Sequence, residues 1–424
     1  MDEASNKDLT KPVTQTYRNY VLFMLTLVYV FNFIDRQILV ILQESIKADL
    51  GLSDTQLGLL SGFTFAIFYA TLGIPIARLA DKSNRKNIVT VSLVVWSGMT
   101  ALSGIAQNFV QLLLARIGVG VGEAGGSPPA HAMISDYFEP EKRARALSIY
   151  STGIYFGVLL GFPLGGWLNG TYGWRITFLG LGLPGVLLAL LFYFTVKEPL
   201  RVKSKSTQST DFKSVVKFLF AKKSFVFLAC ATGLHTFCTY GLGGWIPSFL
   251  VRVHGVSIES VSLWLGLIIG LGGAGGTYFG GYLADKLGKK DKTWYFKVSA
   301  YSALISIPFS IVVYFSGSLP IILTALVIVY ICYSMFLGPS IAITHSMVPA
   351  NMRAFSSAIL FFVLNLIGMG LGPLAIGMIS DTLIPGLGNE SLRWALSSTV
   401  LVSSGAVFLF FKASKYIHLD LEQN

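Results

Sequence analysis

Four ionisable residues draw attention by where they stand. Asp35, Arg36, Arg116 and Glu123 each lie well inside a long apolar stretch. A charge placed at the centre of a hydrocarbon layer costs about 2.5–3.5 kcal/mol on insertion scales, so such residues persist where they face a polar cavity or one another. Asn32 and Arg36 are four residues apart, which puts them on one helix face. Arg116 and Glu123 are seven apart, two turns along a face. The chemistry on offer is proton exchange and anion binding. Burial favours the neutral form of a carboxyl and a nearby guanidinium favours the charged form, so moving either changes its proton occupancy. Glu123 is the first candidate proton carrier. Asp35 is the second, because its neighbour Arg36 is expected to hold it ionised. Arg36 and Arg116 are candidates for gripping a phosphate or carboxylate, since the planar fork fits either. The plainer alternative is an ion-pair network that only ties two helices together.

The elements that hold these residues are membrane spans. Only 12% of the 424 residues are charged, 53% are hydrophobic and the mean hydropathy is +0.65. The apolar residues form twelve blocks, at 18–46, 54–79, 87–106, 109–135, 146–168, 175–196, 224–250, 260–284, 296–316, 319–346, 355–380 and 393–412. About 20 such residues cross about 30 Å of hydrocarbon. Lysines and arginines alternate between the two sets of connections. One set, with the leading segment, holds Lys82, Arg85, Lys86, Lys142, Arg143, Arg145 and the dense run in 197–223. The other holds little beyond Lys47, Arg175, Arg252 and Arg393. Basic loops stay in the cytoplasm, so both termini and 197–223 are expected there, in the cell membrane. The formal charge of +11 then reflects loops facing anionic lipid and not nucleic acid.

The chain repeats itself. Block two ends Ala77-Arg78-Leu79-Ala80-Asp81-Lys82-Ser83-Asn84-Arg85-Lys86, and block eight ends Gly281-Tyr282-Leu283-Ala284-Asp285-Lys286-Leu287-Gly288-Lys289-Lys290, with the aspartates 204 residues apart. Block five carries Gly157, Gly161, Pro163, Gly165 and Gly166; block eleven carries Gly368, Gly372, Pro373 and Gly377. The expectation is an all-α transmembrane protein of two pseudo-symmetric six-helix bundles, 1–196 and 224–424, joined by a cytoplasmic linker, 197–223. Internal doubling of this kind places a substrate site between the halves, near mid-membrane, with alternating access. Asp81 and Asp285 are expected to gate it, each carboxylate docking on the positive N-terminus of a helix in the other half, near Ala354 and Ala144. Arg85 is expected to pair with Asp136, and Lys289 lies in the matching motif.

Those repeated segments resemble the loop motif between helices 2 and 3 of major facilitator transporters, G-x-L-a-D-R-x-G-R-K. The second copy fits almost fully; the first has Ala77 and Asn84 where glycines are usual. Arg116, Gly120 and Gly122 fit that superfamily's R-x-x-x-G-x-G pattern in helix 4. Asn32-Phe33-Ile34-Asp35-Arg36 and Gly120-Val121-Gly122-Glu123-Ala124 are similar to the spinster group. The resemblance implies a major facilitator fold and a proton-coupled carrier of sphingosine-phosphate or lysolipid type. A transporter of small organic anions is the close alternative.

Other signals weigh less. Gly120-Val121-Gly122-Glu123-Ala124-Gly125 spells a dinucleotide fingerprint, but no strand precedes it. No phosphate-binding loop of the G-x-x-x-x-G-K-[ST] kind occurs, and no catalytic constellation suggests an enzyme. Cys230, Cys238 and Cys332 lie in apolar blocks, so no disulfide is expected. The five histidines, His131 among them, show no metal-ligand spacing, so neither metal nor cofactor is expected, and packing or surface roles are favoured. Asn32 with Arg36 and Arg116, and Thr236, Tyr240, Trp245 and Tyr330 from the other half, are candidates to line the cavity. The expected partners are a small amphipathic or anionic substrate, protons and membrane lipids, with the chain a monomer.

Overall fold

A computed structural model describes residues 14–199 and 212–422. Among these residues the chain is almost wholly helical, and its spans are numbered 1 to 12 in chain order. Eight continuous helical stretches are long and apolar enough to cross a membrane. Two of them, Glu141–Thr195 and Phe355–Leu421, each hold two spans. Helices 5 and 6 (140–172 and 174–195) part at Gly173, whose φ of 80° breaks the helical path. Helices 11 and 12 (353–387 and Ser391–Glu422) part at Gly388, φ 53°. Helix 3 (Arg85–Ser103) and helix 4 complete the set. Helix 3 is the less apolar because it buries Thr90, Ser92, Ser97, Thr100 and Ser103. Helix 4 is broken into Phe109–Glu123 and Ser127–Tyr137, with Pro128 and Pro129 in the first turn of the second piece, where a missing N–H is harmless.

The remaining spans are helix 1 (Gln15–Leu50), helix 2 (Asp54–Ala80), helix 7 (Lys223–His254), helix 8 (Ile258–Gly288), helix 9 (Trp294–Phe315) and helix 10 (Leu319–Ser346). Local signals set their ends. Thr14, Ser53 and Ser257 cap helices 1, 2 and 8, and helices 1 and 7 stop at left-handed Gly51 and Gly255. Asn84, where the family motif usually has glycine, caps helix 3 by accepting from the Asn87 N–H at 2.8 Å. The segment 197–223 is more than a tether: Phe212–Ala221 is helical, with Val215 and Leu219 fully buried.

The repeated glycines do the same job in each half. A side-chain carbon at Gly157 of helix 5 would lie 2.7 Å from the Val30 carbonyl oxygen of helix 1, and one at Gly372 of helix 11 would lie 2.6 Å from that of Phe237 of helix 7. Only glycine permits backbones so close. In helix 8, Gly276 and Gly280 press on the helix 10 backbone at Ile331 and Met335, whereas Gly275 and Gly281 face open space.

Helices 2 and 11 meet across the two halves. Each contains a π-helical stretch, Leu59–Phe63 and Leu364–Leu371. The two stretches touch: Gly62 sits against the Met369 carbonyl, where a side-chain carbon would be 2.7 Å away. Such widened turns recur at functional sites.

Candidate functional site

The four intramembrane charges come together, in a pairing the spacing did not foretell. Helix 1 turns Arg36 toward helix 4, and its Nε donates to Glu123 Oε2 at 2.7 Å. The guanidinium is also walled by the rings of Phe33, Phe65 and Tyr69, at 5.0, 4.8 and 4.8 Å, contacts that each add about 0.5–2 kcal/mol. Asn32 lies beside Glu123. Asp35 points elsewhere, toward Thr100 of helix 3 and within electrostatic reach of Arg116 and Glu123. Asp35, Arg116 and Glu123 are at most 1% exposed.

Hydrogen bonding separates the two carboxylates. Among the described residues neither Asp35 oxygen meets full hydrogen-bond geometry, though the Thr100 hydroxyl stands beside it. Nε and Nη1 of Arg116 and Oε1 of Glu123 are also without partners, whereas Glu123 Oε2 is held by Arg36. Buried polar groups are nearly always satisfied, so this corner has room for further hydrogen bonds. The expectation that Arg36 holds its neighbour Asp35 ionised is thereby corrected. Successive helical residues point about 100° apart, and Arg36 goes to Glu123.

The cavity wall beyond Arg36 is phenolic. Tyr29, Tyr69 and, from helix 7 of the other half, Tyr240 are all within electrostatic reach of the guanidinium. Tyr240 lies deep in the protein yet is 36% exposed, so it borders an open space between the halves. Its companions among the expected lining residues are packed instead. Trp245 is fully buried, with its indole N–H on the Pro373 carbonyl at 2.8 Å. Thr236 turns its hydroxyl onto the Thr232 and Gly233 carbonyls, as helix interiors allow, and Tyr330 is 4% exposed. A separate groove of about 450 Å³ between helices 2, 3 and 4 is lined by Ile76, Leu79, Asn84, Val91 and Val121, and none of the four charges lines it.

At the end remote from the termini, here called the far end, the halves are sealed by charge. Arg252 of helix 7 reaches across to Asp54 of helix 2 with both terminal nitrogens, at 2.7 and 2.8 Å, and to Glu44 of helix 1 through Nε at 2.7 Å. Lys47 and Ser380 also bind the Asp54 carboxylate. Asp381 of helix 11 accepts from the backbone N–H groups of Asp54 and Thr55 at 2.9 and 2.7 Å. It thus caps the positive start of helix 2 from the opposite half. Sequence reasoning missed this seal. Its trace in the sequence is that the far-end loops carry few charges, while Asp54 and Asp381 stand at the edges of their apolar blocks. All four far-end cations are paired, Lys47 and Arg252 as above, Arg175 with Asp49 and Arg393 with Glu390.

The opposite, basic end is arranged differently. Arg85 pairs with Asp136 as the sequence suggests. Asp285 is exposed and accepts from Tyr295 of its own half at 3.1 Å, not from the start of helix 5, and Lys289 is exposed. The side chain of Asp81 lies outside the described residues. Glu198, following helix 6, takes the role of helix-end cap here, accepting from the Arg85 and Lys86 N–H groups at 3.0 and 2.8 Å. Toward the middle, Tyr155 of helix 5 and Thr277 of helix 8 join the halves at 2.5 Å.

Residues 25–373 match the family model of the Major Facilitator Superfamily. The chain belongs to the Major Facilitator Superfamily. It is accordingly an integral membrane transporter and not an enzyme. It is 33% identical over 397 residues to an MFS-type efflux pump of Mycolicibacterium smegmatis, covering 93% of this chain and 92% of that one. It is 28% identical to the hexuronate transporter of Bacillus subtilis, over 85% and 87% of the two chains. In structure it matches a bacterial homologue of the human lysosomal transporter Spinster, described as inward-facing and unoccupied, with a TM-score of 0.88, 32% identity and coverage of 96% and 99%. Both the superfamily and the likeness to the spinster group, read first from the motifs, are therefore shown, and the fold is the twelve-helix major facilitator fold.

Proposed function

We propose that this transporter couples protons to the movement of an anionic or zwitterionic amphipath, of lysolipid or sphingosine-phosphate type, by alternating access. The observation that carries the reading is the Arg36–Glu123 ion pair in the cavity wall with the unpaired Asp35 behind it. A substrate phosphate or carboxylate competes with Glu123 for the Arg36 fork. Displaced from Arg36, Glu123 stands next to a second carboxyl, and two such groups do not both stay ionised without a cation. A proton taken up by Asp35 relieves that repulsion. The order of carriers expected from the sequence is thus reversed: Asp35 holds the exchangeable proton and Glu123 answers to substrate. Arg116 balances the charge of both.

In this reading the basic end is cytoplasmic, and the protein rests with its far end sealed and the cavity reached from the cytoplasm. The halves 1–196 and 224–424 rock about the paired π stretches of helices 2 and 11, with 197–223 as the linker. Asp81 and Asp285 close the cytoplasmic end in the alternate state. Polar residues of the first half hold the head; the second half, with few charges in its spans, meets the apolar part.

A second reading, a carrier of small organic anions, is favoured by the hexuronate transporter relative and by the phenolic wall around Arg36. A thermal-shift screen of lysolipids and organic acids, followed by uptake into proteoliposomes under an imposed pH gradient, separates the two. Uptake that ignores the gradient for every ligand bound would remove the proton coupling.

A further inference from the structure

His131 has no part in the groups described so far. It lies on the second segment of helix 4, inside the span, with an accessible side chain although protein surrounds it on most sides. Its ring meets Tyr150 of helix 5 edge-on at 5.2 Å. Tyr150 stacks on Tyr29 of helix 1 at 4.4 Å, Tyr29 meets Phe33 edge-on at 5.2 Å, and Phe33 carries the Arg36 guanidinium at 5.0 Å. The rings form one continuous wall from His131 to Arg36. Ser127, one turn before His131 and on its face, fronts the phenols of both Tyr29 and Tyr150. Tyr29 also lies within electrostatic reach of Tyr240 of the other half, so this wall borders the space between the halves.

A packing role explains this histidine poorly. The ring nitrogens have no hydrogen-bond partner among the described residues, and no charged side chain is near enough to act on the ring. A neutral imidazole offers one donor and one acceptor, and the serine hydroxyl offers both. The end of the wall away from Arg36 therefore suits an uncharged hydrogen-bonding group and not a second anion.

We propose that His131 and Ser127, backed by the buried Tyr150, form a second polar subsite of the transport cavity, taking a hydroxyl or amide of the substrate while its phosphate or carboxylate sits on Arg36. The carbon skeleton between the two groups lies along the faces of Tyr29 and Phe33. The substrate class narrows to anions that carry a hydroxyl or amide apart from the charge. This rests on the reading of the interhalf space as the transport site.

The test uses full-length protein in proteoliposomes with Cys230, Cys238 and Cys332 replaced by serine. His131→Cys and, separately, Tyr240→Cys are labelled with a water-soluble methanethiosulfonate, with and without 1-oleoyl-lysophosphatidate or D-glucuronate. One of these probes should slow labelling at both positions by about fivefold or more, as occupancy of a site well above its Kd requires. In a second measurement, His131→Ala should weaken binding of the protective probe by about tenfold, the loss of one good hydrogen bond. The same change should leave binding of that probe's deoxy analogue unaltered. Protection at Tyr240→Cys but not at His131→Cys overturns the subsite and leaves the transport cavity standing. Protection at neither position, by either probe, overturns the cavity reading and the subsite with it. Equal weakening of the hydroxylated and deoxy probes by His131→Ala, repeated with His131→Gln, assigns the residue to packing.

Discussion

Replacing Arg252 by alanine should open the far end of this protein without unfolding it. Arg252 is 10% exposed and its fork holds Asp54, which is fully buried. Removing one partner of a buried pair costs about 3–5 kcal/mol when the remaining charge is left alone. Asp54 is not left alone: Lys47 stays on one oxygen at 2.5 Å and Ser380 on the other at 2.7 Å. The expected loss is therefore smaller, roughly 2 kcal/mol, or about a thirtyfold shift in an equilibrium. Because Arg252 belongs to one half and Asp54 and Glu44 to the other, that loss falls on the contact between halves and not on either bundle. It should appear as a change of conformational population. Spin labels at Gln107→Cys and Gly317→Cys, on far-end loops of the two halves, report it by distance distribution. The wild type should show a dominant short-distance population beside a minor longer one, and Arg252→Ala should enlarge the longer one. Asp381→Asn, which weakens the cap on helix 2, should move the population the same way by about 1 kcal/mol. An unchanged distribution in Arg252→Ala, with a lowered melting temperature, would refute the argument that these contacts set the conformational balance.

Further expectations follow from the cluster and the basic end. Asp35→Asn should abolish pH-driven accumulation in proteoliposomes while keeping substrate exchange, and Glu123→Gln should free Arg36 and alter substrate affinity more than coupling; wild-type coupling in Asp35→Asn with its loss in Glu123→Gln would restore the order read from the sequence. Arg36→Ala should weaken substrate binding by about tenfold to a hundredfold, with lysine a poor rescue because the fork is lost; Arg116→Ala should act alike, and normal binding with reduced thermal stability in both would leave only a structural network. Asp81→Asn and Asp285→Asn should favour the conformation open at the basic end, seen as longer distances between labels there, and unchanged distances in both mutants would end the gating assignment.

The spans were legible because hydrocarbon imposes length and apolarity on each, and because loop charge alternates at every crossing. The paired glycines of helices 5 and 11 were legible as a repeat, and their packing roles in the two halves agree, whereas Asn84, a departure from the repeated motif, caps helix 3. What sequence could not supply was direction around a helix. Arg36 and Asp35 are adjacent in sequence, so their proximity suggested a pair, yet adjacent helical residues diverge and the cluster formed through Glu123 instead. Trp245 and Tyr330 look like cavity aromatics by composition, but whether an aromatic faces a cavity or a neighbour depends on the tilt of helix 7 and helix 10. The far-end seal was illegible for a different reason. Asp381 and Asp54 are 327 residues apart, and nothing local marks a carboxylate that caps a helix in the other half.

The same chemistry therefore serves both ends of the molecule with different partners. At the far end an aspartate of helix 11 caps helix 2 across the seam, and a buried arginine fork reinforces it. At the basic end a cap of the same kind stays within one half, from Glu198 to helix 3, and Asp285 has turned to a tyrosine of its own bundle. A helix-end cap that crosses the seam stabilises only the state in which the seam is closed, whereas one inside a bundle stabilises both states equally and shifts nothing. The bias of this structure toward a sealed far end is thus carried by few groups, none of them among the four intramembrane charges. In the proposed mechanism substrate and proton act on Arg36, Glu123 and Asp35, all charged groups of the first half. A direct route to the seal runs along helix 1, which carries Asn32, Asp35 and Arg36 in its middle and Glu44 and Lys47 near its far end. Helix 1 supplies charged groups to both the cluster and the clamp, and helix 2 runs beside it with Phe65 and Tyr69 on Arg36 and Asp54 in the clamp, so this helix pair is the physical link between what binds and what opens.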